Sequence, residues 1–88
     1  MTIIENENYK LWIDNGLLFS VFKKPTHLTL EDAKSAIELR HSISNNKHQY
    51  WCMDLRNLKD TTDEAKKYID ENGEEFLYAC AMIVNSHL

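Results

Sequence analysis

Residues 9–22 read Tyr9-Lys10-Leu11-Trp12-Ile13-Asp14-Asn15-Gly16-Leu17-Leu18-Phe19-Ser20-Val21-Phe22, and this stretch decides the class of the fold. Two short runs rich in aromatic and branched residues, Tyr9–Asp14 and Leu17–Phe22, flank Asn15-Gly16. A two-residue type I′ turn demands positive φ at both central positions, which asparagine and glycine accept at least cost. The runs are therefore predicted to be neighbouring antiparallel strands. Lys23-Lys24-Pro25 closes the second strand, since proline has no N–H to give to a ladder.

Past the hairpin the apolar spacing changes to that of a helix. Thr29 with Asp32 three residues on reads as a capping box, and Glu31 and Asp32 suit the positive end of a helix dipole. Leu30, Ala33, Ala36, Ile37, Arg40 and Ile43 fall on one face, and Asn45-Asn46 stops the helix. Arg40, at the edge of that stripe, is expected to lay its methylenes on the core and keep its guanidinium in water. Tyr50–Met53, running into Asp54, is apolar without alternation, which predicts a central strand covered on both faces. Thr61 with Glu64 repeats the capping pattern, Ala65, Tyr68 and Ile69 supply a stripe, and Gly73 is a natural stop. Glu74–Tyr78 fits a helical turn or a loop equally, and Ala79–Val84 is again apolar throughout, hence another buried strand. The outcome is a single α/β domain spanning residues 1–88, in ββαβαβ order. Its sheet is expected to be mostly parallel, with right-handed crossovers and an N-terminal antiparallel hairpin.

Composition narrows the function classes. With 10 basic against 14 acidic residues the net charge is −4, and Lys23, Lys24, Lys47, Lys59, Lys66 and Lys67 are interleaved with acids, so no basic footprint for nucleic acid is predicted. No run approaches the ~20 apolar residues of a membrane span, and the polar, acidic start is unlike a signal peptide. Cys52 and Cys80 lie in apolar runs without metal or redox spacing, which predicts buried free thiols in the cytoplasm. Trp12, Phe19, Phe22 and Trp51 are expected in the core, and alternation splits the hairpin between two faces, so that any of Leu11, Ile13, Leu18 or Phe22 left exposed would supply a surface for self-association. A final buried strand needs cover on both faces, yet the sequence closes soon after Val84. A homodimer or higher association, or a C-terminally abbreviated domain, is the expected consequence.

Asp54-Leu55-Arg56 at a strand end, followed by Asp60-Thr61-Thr62 at a helix start, resembles the STAS domains, the anti-sigma-factor-antagonist-like and sulfate-transporter-associated family. The order of elements also resembles that of small bacterial SpoIIAA-like proteins of unknown function. In that family the strand ends in Asp-Leu-Ser and the helix opens with Asp-Ser-Ser-Gly, one serine being the regulatory phosphorylation site. Here Asp63 stands where the family has glycine. The resemblance implies a SpoIIAA/STAS-like fold continuing beyond the last strand, protein partners, and Thr61 or Thr62 as phosphoacceptor.

Ligands of open α/β sheets bind beyond the carboxyl ends of the strands, and a helix N-terminus offers free N–H groups. Asp54, Arg56, Asn57, Lys59, Thr61 and Thr62, joined by Asn85 and Ser86, are therefore the candidate ligand- or partner-binding residues. The plainer reading makes Thr61 an N-cap, with Asp54 and Arg56 satisfying nearby backbone. His27, His41, His48 and His87 lack metal spacing, and two glycines cannot build a nucleotide loop, so neither metal nor cofactor is expected. No catalytic constellation emerges. The chain reads as a non-enzymatic, self-associating interaction module. The alternative is a small-ligand or lipid-binding domain with an apolar pocket between sheet and helices.

Overall fold

The computed structural model describes residues 2–85. In chain order the elements are β1 (Thr2–Glu5), β2 (Tyr9–Asp14), β3 (Leu17–Phe22), β4 (Thr26–Leu28), α1 (Leu30–Ser44), β5 (Gln49–Asp54), β6 (Leu58–Thr61), α2 (Asp63–Asn72) and β7 (Leu77–Ile83). The hairpin forms as its turn chemistry requires. Asn15 and Gly16 have φ of 52° and 78°, and β2 pairs with β3 from Tyr9↔Phe22 to Asp14↔Leu17.

Five strands make one mixed sheet in the order β1-β2-β3-β5-β7. It is not mostly parallel: β1/β2 and β2/β3 are antiparallel, whereas β3/β5 and β5/β7 are parallel. The expected ββαβαβ series is present, with β1, β4 and β6 added to it. The short stretch Thr2–Glu5 becomes an edge strand on β2, and β4 and β6 form a separate parallel pair.

Helix α1 carries the full capping box at Thr29 and Asp32 and ends with Asn45 at φ 54°, the left-handed stop that asparagine tolerates. Helix α2 starts one residue later than its sequence pattern suggests. Thr62, not Thr61, is the N-cap, so Glu64 is one residue short of the reciprocal position and no box forms. At the far end the Gly73 N–H donates to the Ile69 carbonyl, and a Cβ on Gly73 would sit 2.5 Å from that oxygen. Only glycine fits so close an approach.

Both helices lie on the same side of the sheet. Tyr9, Leu11, Leu18, Phe22 and Trp51 point to them and form the core with Leu28, Ala33, Ile43 and Ala65. This corrects the expectation that β5 is covered on both faces: Trp51 is buried, but Tyr50, on the opposite face, is 55% exposed. Trp12 and Phe19 likewise leave the core and stack on each other on the open face, ring centroids 5.5 Å apart. The residues that alternate with them, Leu11, Leu18 and Phe22, take the interior.

Arg40 departs furthest from its expected place. Its side chain is 1% exposed, with the guanidinium 4.8 Å above the Trp51 ring and Nη2 donating to the Gly73 carbonyl at 3.1 Å. Nε has no hydrogen-bond partner, and no carboxylate lies within ion-pair distance among the described residues. Burial holds its pKa below the usual arginine value. Beside it, burial pushes the Tyr9 phenol up to about 12, against the smaller opposite pulls of Ser20 and the Arg40 charge.

Nothing lies within 4 Å of a Cβ placed on Gly16, so Gly16→Ala tests backbone strain alone. Forcing a side chain into positive φ should cost about 1–2 kcal/mol in urea unfolding, with an unchanged denaturant slope.

Candidate functional site

The loop that follows β5 gathers most of the predicted site residues, but it ties them to one another. Asp54, closing β5, accepts from Arg56 Nε at 3.0 Å, from Nη2 at 2.7 Å and from the Arg56 backbone N–H at 3.1 Å. These bonds hold the Asp54 carboxyl below its ordinary pKa and raise that of Arg56. Asn57 Nδ2 donates to the Phe22 carbonyl at the end of β3, and Asn85 Nδ2 to the Arg56 carbonyl, both at 3.0 Å. The ends of three neighbouring strands are thus stitched together by Asp54, Arg56, Asn57 and Asn85.

Lys59 is exposed on β6, Thr61 is half-buried at the end of that strand, and Thr62 Oγ1 accepts from the Ala65 N–H at 3.2 Å. Ser86 lies outside the described residues. Around the start of α2 stand Asp60, Asp63 and Glu64, and the nearest guanidinium is already committed to Asp54. The carboxylates there repel a phosphate, against a helix N-terminus that would attract one. His27 Nδ1 and Asp60 Oδ1 are 2.8 Å apart on the exposed surface beside it. No group of three or more His, Cys, Asp or Glu able to hold a metal ion occurs among the described residues.

The features that sequence reasoning located least well are apolar. Between the helices and the covered face of the sheet lies an open cavity of about 370 Å³. Phe22, Trp51, Met53, Leu58, Ile69 and Met82 are among its walls, and Asp70 and Glu74 are the acids lining it. Helix α2 leaves β7 largely bare on this side. Met82 is 59% exposed there and Cys80 is exposed beside it. Cys80 is exposed and Cys52 half-buried, which corrects the expectation that both thiols are buried.

Among the described residues the opposite face of the sheet carries no helix. Strand register places Ile3, Trp12, Leu17, Phe19, Val21, Tyr50 and Cys52 on it, continued by Ala79, Ala81 and Ile83 of β7. Charged residues on it are Glu5 opposite Lys10, Asp14 and Asp54 near the strand ends, with the Lys10 ammonium reaching over the Trp12 ring at 5.5 Å. A contiguous apolar surface with a charged rim is the form a protein contact takes. The alternating apolar residues of the hairpin were the available signal; which half is covered follows only once both helices are seen to share a side.

Residues 11–88 match the model of a family described as a domain of unknown function (DUF7793). No curated protein and no solved structure matches the chain. Among the described residues no helix is long and apolar enough to cross a membrane.

The Thr62 cap gives a direct test of the helix start. Thr62→Ala should lower stability by about 1 kcal/mol, and Thr61→Ala, which removes no cap, by clearly less, in parallel thermal melts. Equal losses would place the cap elsewhere.

Proposed function

The chain belongs to the DUF7793 family, whose description names no activity, and on that premise we propose that it is a non-enzymatic, STAS-like interaction module acting by protein contact in the cytoplasm. The observation that carries this reading is the open apolar face, on which Ile3, Leu17 and Tyr50 are exposed around the Trp12–Phe19 stack. A face of this kind costs free energy in water and regains it when covered. Free thiols at Cys52 and Cys80 accord with a reducing compartment. Thr61 and Thr62 are the phosphoacceptors of this reading. A phosphate there would meet Asp60, Asp63 and Glu64, so modification would loosen the start of α2 rather than dock it onto a basic partner.

The test is a double substitution in neighbouring strands, Leu17→Glu with Tyr50→Glu, which charges the open face and leaves the core alone. A protein captured by the wild type, then purified and titrated, should bind the variant at least tenfold more weakly while circular dichroism stays the same. Equal affinity, or failure of the wild type to bind any protein saturably, would overturn the reading.

The cavity supports a second reading, a site for an apolar small molecule such as an acyl chain. Its size falls within the range of small-ligand pockets, and its walls are mainly hydrophobic. Native mass spectrometry after gentle purification should then show co-purified apolar ligand, and Met53→Trp, which fills the cavity, should abolish it. A ligand-free spectrum, together with no saturable uptake of a fluorescent fatty acid, would discard this second reading.

A further inference from the structure

Among the described residues β7 ends the sheet with its outer edge unpaired, and the two edges of the sheet are unlike. The opposite edge, β1, has four residues and carries Glu5, whereas β7 has seven residues, Leu77-Tyr78-Ala79-Cys80-Ala81-Met82-Ile83, none charged and none proline. Edge strands are ordinarily guarded by lysine, proline or a bulge that turns the edge away. The irregularity in β7 lies only at its beginning, opposite the Gln49/Tyr50 step, and leaves Ala79–Ile83 regular. The Leu55 N–H donates to the Ile83 carbonyl at 2.8 Å. Since residues along a ladder alternate, Ala79, Ala81 and Ile83 bond to β5, and Cys80 and Met82 turn their N–H and C=O outward.

We infer that the partner of this edge is a second copy of the same chain, joined by antiparallel β7–β7 pairing about a two-fold axis at Cys80, so that two five-stranded sheets become one. This adds to the contact module proposed above a second contact, at the edge of the sheet rather than on its open face, and it rests on that reading only in taking the chain to act by protein contact. The axis position follows from the strand itself. Cys80 is its midpoint, and an axis there pairs Ala79 with Ala81 and Cys80 with its own symmetry mate, while Ile83 and Met82 fall opposite the irregular start of the strand, Leu77 and Tyr78. Each pair joins apolar to apolar residues, and the outward-facing Cys80 main chains meet as a hydrogen-bonded pair. Charge does not oppose the contact locally. Each copy carries net charge −4, yet no acid enters the contact, and Glu75 falls opposite the partner's Asn85. A helix laid against β7 would leave the outward N–H and C=O groups unpaired; a strand satisfies them, and this chain supplies one of matching length and chemistry.

The experiment combines hydrodynamics with cysteine placement on the purified full chain. Sedimentation should show a dimer that dissociates on dilution. Met82→Pro, which deletes an outward N–H without touching the β5 ladder, should shift it to monomer. In a Cys52→Ala background a short bis-maleimide should link Cys80 across the axis, where opposed Cα atoms lie about 5.5 Å apart. With Cys80→Ala instead, Cys52 should give no dimer band, because three strand spacings, about 14 Å, separate the two copies of β5. A dimer whose Cys80 does not link, or whose Cys52 links as well, overturns the β7 pairing while leaving the contact module standing. A chain that stays monomeric to 100 μM overturns the inference, and the titration on the open face still decides the broader reading by itself. The cross-link needs no proline variant, so misfolding of Met82→Pro does not spare the inference.

Discussion

The position of Trp51 is the constraint on which the covered half of the molecule depends. Its indole N–H donates to Ser20 Oγ at 2.9 Å, locking β5 to β3, and its ring carries the Arg40 guanidinium of α1. Through Arg40 Nη2 and the Gly73 carbonyl the same contact reaches the end of α2. One side chain thus links two strands and both helices. The arrangement places an arginine in the interior without a carboxylate, and cation–π attraction with a hydrogen bond to a helix-terminal carbonyl offsets only part of its lost hydration. The unpaired Nε and the lowered pKa of Arg40 are the residue of that imbalance.

Placing both helices on one side makes the rest of the surface follow. Helix α1 packs over β1 and β2, and α2 packs on α1 rather than outward along the sheet. Little cover is then left for β7, whose helix-side residues Cys80 and Met82 stand open at the cavity. The β4–β6 pair brings Leu28, Leu58 and Thr61 to that cavity and limits how far it opens. Cavity, bare strand and helix-free face are therefore three results of one packing choice.

Much of this was legible in the sequence where local chemistry dictates the backbone. Asn15-Gly16 could hardly be anything but the hairpin turn, and Thr29 with Asp32 and Asn45 marks the ends of α1. What escaped was set by neighbours remote in sequence. Thr2–Glu5, Thr26–Leu28 and Leu58–Thr61 are short strands with little apolar pattern, and each exists because another strand lies beside it. Arg40 looked like a snorkelling side chain because spacing reveals the face of a helix but not the aromatic ring that closes over it. Among the candidate site residues, Asp54, Arg56, Asn57 and Asn85 do converge. Their hydrogen-bond capacity is turned inward on the loop, a property that depends on distances no spacing rule carries.

The misreading of β5 is the most instructive. A strand with apolar residues on both faces is ordinarily one that is covered twice, and Tyr50, Trp51, Cys52 and Met53 satisfy that pattern. The fold needs only half of it: Trp51 and Met53 serve the core and cavity, whereas Tyr50 and Cys52 face away from both helices. The same excess recurs at Leu17, Phe19 and Val21 on β3 and at Ala79, Ala81 and Ile83 on β7. Polar residues at these positions would leave the hydrophobic core intact and make the monomer more soluble. Their shared apolar character is unexplained by the folding of one chain, and it becomes intelligible when the open side of the sheet is treated as a surface meant to be covered.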